Sequence, residues 1–403
     1  FDLWIRNGHV VDPSQNWDGP AEIGIRGGRI AAFGERLEGE GSASVYDAAG
    51  CYVSPGLIDL HGHWYEGSQF GINAELGLNS GVTTPVDAGT TGFVNFPEFR
   101  RTAIDPCEAN LLAFIHVGCV GLPTAAIGEL HDLRYARPIE TAEMVNAHRD
   151  RAVGVKVRIG EATGGNEAFD VALAAAQDAH ARLMVHVSRG ADEAYVLDRL
   201  RPGDILTHCF HGRGNRMVDS RGWIPQVHEA RARGVVFDVG HGCGSFSWET
   251  AQRGFEHHFY PDTLSTDLHR YNVGEPFWLT LPDVMSRFLC LGMSLRDAVA
   301  KTTAAPARVL GREKELGTLR PGAAGDVFIF RMLDGEFPLI DTHLQTRMGT
   351  KRIDPVATVR AGKSYPAGSI ERPVRPLYEW DRFVFDMVGY SFEKVRPPQT
   401  NRN

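Results

Sequence analysis

The sequence predicts an α/β protein: a (β/α)8 TIM barrel carrying a small composite β-sandwich built from the N- and C-terminal segments. Three observations carry this. Eight apolar, strand-like runs alternate with longer helical stretches between residues 52 and 310. That span suits the roughly 250 residues of a closed barrel. The segments on either side have a different texture, β-branched alternation broken by Gly pairs and Asn-Gly.

In chain order, residues 1–51 read as short strands in DLWIRNGHVVD, AEIGIRGGRIAAFGE and SVYDAAGCYVSPG. The barrel runs over 52–310 are VSPGLIDLHGH, GVTTPVDAG, LLAFIHVGCV, AVGVKVRIG, RLMVHVS, GDILTHCF, GVVFDVGHG and DTLSTDLH. PIETAEMVNAHRDRA, ahead of the fourth run, places Pro at a first turn with acids following, a helix start. NEAFDVALAAAQDAHA, ahead of the fifth, is rich in strong helix formers. Residues 311–367 return to strand texture in GAAGDVFIFRM and DPVATVRAGKSYPAG and complete the sandwich. Residues 368–403 contain Pro and aromatics and fit neither body, so they are expected to be a packed arm or a subunit contact in a homo-oligomer.

A net charge of −8 without a run of Lys and Arg argues against nucleic acid and against anionic membranes. No stretch approaches the ~18 uninterrupted apolar residues of a membrane span. The opening residues alternate like a strand and lack the charged-then-apolar layout of a secretion signal. The six cysteines form no CxxC pair, which fits free thiols in a reducing cytoplasm.

Barrels of this kind place their chemistry at the C-terminal ends of the strands. The first run ends in His61 and His63, two apart and so on one face of a strand. In the fourth, Val155, Val157 and Ile159 form one face and Gly154, Lys156 and Arg158 the other, toward the lumen. The fifth ends in His186, the sixth in His208 and the eighth in Asp267. A lysine amid apolar neighbours is costly unless paired or modified. Imidazoles with a carboxylate suit zinc, with iron or manganese as alternatives. Carboxylation of Lys156 by CO2 would turn an unfavourable cation into an anion able to bridge two divalent ions, which would share a hydroxide. Asp267 would bind one ion and carry the proton from that hydroxide to a leaving group. The competing reading keeps Lys156 as an ion-paired lysine, with a single metal bound elsewhere.

Around this set, Asp59 either orients a ligand imidazole or ends its strand. His241 would polarise a substrate carbonyl or bind a carboxylate, unless it is a loop histidine. Arg158 would meet an anionic substrate or bridge to a neighbouring strand. His269 would line the same mouth, and Cys209 is structural if His208 points inward.

These residues resemble the amidohydrolase superfamily of binuclear metal hydrolases, through DLHGH, the lysine of GVKVR, His186, His208 and the aspartate of STDLH. The resemblance implies His61, His63 and Asp267 on the more buried metal and His186 and His208 on the other. It further implies a small-molecule substrate. Within the superfamily the sequence looks like the dihydroorotase-like and deacetylase branch. Dihydroorotases carry an arginine two residues beyond the second histidine, where this chain has Tyr65, a position that would meet substrate. GVTTPVDAGT, FDVGHGCGSFSWETA and STDLHRYN are similar to members that deacetylate α-hydroxy-carboxylates. The resemblance therefore implies deacylation of an acetyl-mandelate-like ester or an N-acyl amide. Two alternatives stand beside it: a cyclic amide hydrolase of the dihydroorotase or hydantoinase type, and a non-catalytic scaffold.

Overall fold

The computed structural model describes residues 1–38, 42–124, 128–160, 163–212, 214, 217–219, 221–273, 279–371, 377–388 and 391. Among these, seven strands form one parallel sheet in chain order: Leu57–Gly62, Val82–Gly92, Leu112–His116, Ala152–Ile159, Arg182–Val187, Ile205–Thr207 and Val236–Phe237. The eighth run forms isolated parallel bridges, Thr263 to Asp238 on one side and Leu268 to Gly62 on the other. Backbone bonds reinforce both seams: His241 N–H donates to Ser265 O at 3.1 Å and Asp267 N–H to His61 O at 2.7 Å. The sheet therefore closes through a segment that is itself too irregular for a ladder.

Strands covered on both faces are apolar almost throughout. Val155, Val157 and Ile159 are fully buried, together with Ala168, Phe169 and Ala172 of helix Gly165–Asp178. Helix Pro138–Ala147 starts with proline in its first turn, as the sequence predicts. Helix Leu281–Cys290, which follows the eighth run, is fixed by a capping box between Thr280 and Asp283.

The flanking segments form one eight-strand sheet among the described residues. Its N- and C-terminal parts meet where Val327–Phe330 pair antiparallel with Tyr52–Pro55, the strand that leads into the barrel. Ile5, Val10, Ile23, Val53, Ile329 and Val359 share its core. The long hairpin Val327–Ile340 and Thr346–Arg360 also reaches the barrel, where Trp248 Nε1 donates to Leu339 O at 3.2 Å.

The described part of the arm packs on its own chain. It includes the turn Glu379–Asp381 and helix Arg382–Val388. Val384 and Phe385 are buried against Phe70, Leu122 and Tyr271. Among the described residues, no helix is long and apolar enough to cross a membrane.

Candidate metal centre

The structure gathers His61, His63 and Asp267 so that one donor atom of each lies within 4.8 Å of the others, all three buried. Asp267 Oδ1 is 3.4 Å from His61 Nε2 and 3.3 Å from His63 Nε2. His208 Nε2 is 4.0 Å from the other oxygen of Asp267 and 3.0 Å from His186 Nδ1. Lys156 is fully buried among these groups, and its Nζ donates to Ala88 O at 3.0 Å. Five strand ends thus deliver the six residues to one place. Two of them hold unusual backbone: His208 (φ 64°) and Asp267 (φ 49°) are left-handed without being glycine. Such residues persist only where surrounding contacts over-determine them. Gly242 passes so close that a Cβ there would lie 2.6 Å from Asp267 Oδ2.

The first-strand histidines are each held by a hydroxyl and a carboxylate. His61 Nδ1 lies 2.9 Å from Thr207 Oγ1, which donates to Asp238 Oδ2 at 2.8 Å. His63 Nδ1 lies 2.8 Å from Thr90 Oγ1, which donates to Asp87 Oδ2 at 2.7 Å. Burial raises the pKa of both carboxyls, but each accepts several donors that favour the ionised form. Asp238 also receives Thr263 and Ser265, both at 2.6 Å, and Asp87 the backbone N–H of Trp64 and Thr90, both at 2.8 Å. A threonine hydroxyl has one proton, and here it is committed to the carboxylate. It therefore accepts from Nδ1–H, which leaves a lone pair on each Nε2.

The two lone pairs converge on a carboxylate that is itself ionised. Burial alone would raise the pKa of Asp267, but the imidazoles beside it, His61 first and then His63, hold it well below the usual range. Burial, followed by the charge of Lys156, drives His61 well below the usual imidazole value. His61 Nε2 has no hydrogen-bond partner among the described residues. Lone pairs facing an ionised oxygen with no proton to share repel one another, so this donor set fits a bound cation.

The second pair is held differently. His208 Nδ1 donates to the Gly240 carbonyl at 2.6 Å, and burial takes its pKa down to about 3. Its Nε2 faces His186, which is half-buried.

The surrounding residues sort less simply. Arg158 donates to Glu129 Oε1 at 3.3 Å, and Glu129 Oε2 lies 3.1 Å from His116 Nε2. Arg158 thus forms an ion pair, but to the loop after the third strand and not to a neighbouring strand. His241 is buried, with Nδ1 2.9 Å from Gly242 O and Nε2 unpartnered among the described residues. With its proton on Nδ1 and its pKa pushed by burial to about 3, His241 is a neutral acceptor, which corrects the expectation that it binds a carboxylate. His269 has the opposite tautomer. Its Nδ1 accepts from Tyr271 N–H at 3.1 Å, so Nε2 carries the proton, 3.8 Å from Cys243 Sγ.

Two expectations fail. Tyr65 is turned away from the cluster: its ring packs on Phe99 at 4.9 Å and lines a separate pocket of about 410 Å3 with Asn73, Thr102 and Cys107. The strand ends at Gly62, and the chain beyond His63 carries Tyr65 toward Phe99, so the position that the resemblance implies for substrate contact is not kept here. Asp59 meets the backbone of His61 rather than a ligand imidazole, and it accepts from Thr266 N–H (3.0 Å) and Oγ1 (2.5 Å), tying the first strand to the eighth run. Burial raises its pKa to about 7. Cys209 is fully buried in the core, outside the cluster.

Sequence reasoning missed Thr90, Asp87, Thr207 and Asp238, and the buried pair His116–Glu129. A hydroxyl or carboxylate at a strand end was a usable signal for the first four, but their partners lie on other strands.

Fold and site together define a barrel hydrolase that works through bound metal. The chain belongs to the amidohydrolase family, whose model matches residues 52–363. A deacetylase of Brucella anthropi is 33% identical over 326 residues, covering 78% of this chain and 80% of that protein. Among solved structures, an adenine deaminase superimposes with TM-score 0.85 at 29% identity, covering 91% of this chain and 100% of that one. A dihydroorotase gives TM-score 0.82 at 29% identity, covering 92% and 100%. This is the dihydroorotase-like and deacetylase branch foreseen from the motifs, and the protein is an enzyme that hydrolyses its substrate with metal.

Proposed function

We infer that the enzyme deacylates a small carboxylate-bearing substrate, either an acetylated α-hydroxy acid of the acetyl-mandelate kind or an N-acyl amide. The observation that carries this reading is the convergence of two proton-free imidazole nitrogens and an ionised carboxylate beside a second histidine pair. The deacetylase of Brucella anthropi supports the choice of acyl group.

The donor set suits two zinc ions, with His61, His63 and Asp267 on one and His186 and His208 on the other. Lys156, carboxylated by CO2, would add an anionic ligand to this set. Burial lowers the pKa of this amine and so favours the neutral form that adds to CO2, releasing one proton. Ions held there would supply a Lewis acid for the scissile carbonyl and acidify the attacking water. Asp267 accepts that water's proton and delivers it to the departing alkoxide or amine. Arg158 and the Nε2–H of His269 donate to the substrate carboxylate, and His241 accepts from a substrate hydroxyl or N–H. In this reading the enzyme works in the cytoplasm.

Metal analysis of the purified protein, with assays on acetylated α-hydroxy acids, N-acetyl amino acids and cyclic ureides, tests this. Two metals per chain and turnover of the acetyl compounds are expected. Fewer than about one metal per chain would remove the binuclear reading. Strong turnover of dihydroorotate or hydantoins without deacylation would favour a cyclic amide hydrolase. That second reading is supported by the likeness to a solved dihydroorotase. Against dihydroorotate stands Tyr65, which supplies no anion clamp and faces Phe99.

A further inference from the structure

We propose that the C-terminal arm helps build the substrate pocket, with Asp381 as a positioning residue that fixes the aromatic wall beside His63 and so sets which substrate side group the mouth accepts. The proposal rests on the deacylase reading for the identity of its substrates.

Asp381 is fully buried at the end of the turn Glu379–Asp381. Its Oδ1 accepts from Arg270 Nη1 at 3.2 Å, Tyr271 OH at 2.7 Å and Gln69 Nε2 at 3.1 Å. Its Oδ2 accepts from Arg270 Nη2 at 2.9 Å and Tyr378 N–H at 2.6 Å. The forked pair with Arg270, itself buried, fixes angle as well as distance. A buried ion pair is weak evidence for stability and better evidence for a specified geometry. Here the donors come from two separate loops that flank the candidate centre, one after His63 and one after Asp267. Gln69 follows the first barrel strand, and Arg270 and Tyr271 follow Asp267 on the eighth run. Arg270 N–H also donates to Phe70 O at 2.8 Å, so one carboxylate from outside the barrel locks the two loops together.

Those loops carry the wall. The Phe70 ring lies 6.3 Å from His63 and 5.8 Å from His269. Tyr271 is 5.4 Å from Phe70 and 5.4 Å from Phe385 of the arm. A continuous chain of ring contacts therefore runs from the arm to a candidate metal ligand. Apart from the Nε2–H of His269 it is an aromatic surface, suited to an aryl or branched apolar group on the substrate. The arm lies beyond residues 52–363, the span that the family model matches. The wall is thus braced by a segment outside the family's shared barrel.

The test compares the full-length, metal-loaded enzyme with its Asp381→Asn and Phe385→Ala variants. For acetyl-mandelate against acetyl-lactate, the ratio of kcat/KM is expected to fall about tenfold in each variant, mainly through KM for the aryl substrate. An unchanged ratio would overturn the proposal, even if the melting temperature drops, because a purely structural brace lowers both substrates together. The rate of metal loss to the chelator dipicolinate is measured in parallel and needs no substrate. It is expected to rise in both variants as the wall beside His63 loosens. If the parent enzyme hydrolyses neither ester, the deacylase reading fails, and the chelator experiment alone decides: equal rates in parent and variants overturn the role of the arm. If Asp381→Asn does not fold, Phe385→Ala carries the same comparison.

Discussion

The two halves of the centre hold their histidines in different ways. His61 and His63 are each fixed through a threonine hydroxyl to a buried carboxylate, with Nε2 aimed at Asp267. His208 is fixed by a backbone carbonyl, while His186 is half-buried and meets His208. The first half is enclosed and set by side chains. The second is more open and set largely by main chain. An enclosed, fully specified half suits a metal that stays bound, and an open half suits the place where substrate enters. Side-chain relays can also be removed by mutation, whereas a carbonyl cannot, so the comparison can be tested from one side.

The largest effect is expected at Asp267, on which His61 and His63 converge and which also lies 4.0 Å from His208. Asp267→Asn keeps the size but removes the ionised oxygen and the proton acceptor; kcat should fall about 10³-fold in steady-state assays, with the circular dichroism spectrum unchanged. Lys156→Ala should come next. Metal analysis should then find about one ion per chain instead of two, with the loss borne by the open half. Full activity in this variant would remove Lys156 from the centre.

Smaller effects separate the halves directly. Thr207→Val and Thr90→Val keep the shape but break the relays, and each should weaken metal binding about 10- to 100-fold in chelator competition. If neither does, the hydroxyl–carboxylate relays are packing rather than orientation. The smallest change is expected outside the centre: Tyr65→Phe should alter kcat/KM by less than about twofold, because the hydroxyl lies on the Phe99 side.

Most of the donor set was legible in the sequence because strand alternation is a local rule. It places His61 with His63, and Lys156 with Arg158, before any contact is known. Tyr65 was named through the family resemblance instead, and its ring turns to Phe99. At Asp59 the shared face was readable but the partner, Thr266, was not. The pair His116–Glu129 joins a strand to the loop after it and gave no spacing signal. The arm looked foreign to both bodies, yet its residue Asp381 joins the loops that follow His63 and Asp267.

By itself, then, the sequence determined the barrel, the donor types and the strand ends that bear them, since period and composition are properties of short stretches. Only the tertiary structure decided which nitrogen of each histidine is free to bind. That choice depends on hydroxyls such as Thr207, 146 residues from His61, and on carboxylates that meet them only when the barrel closes.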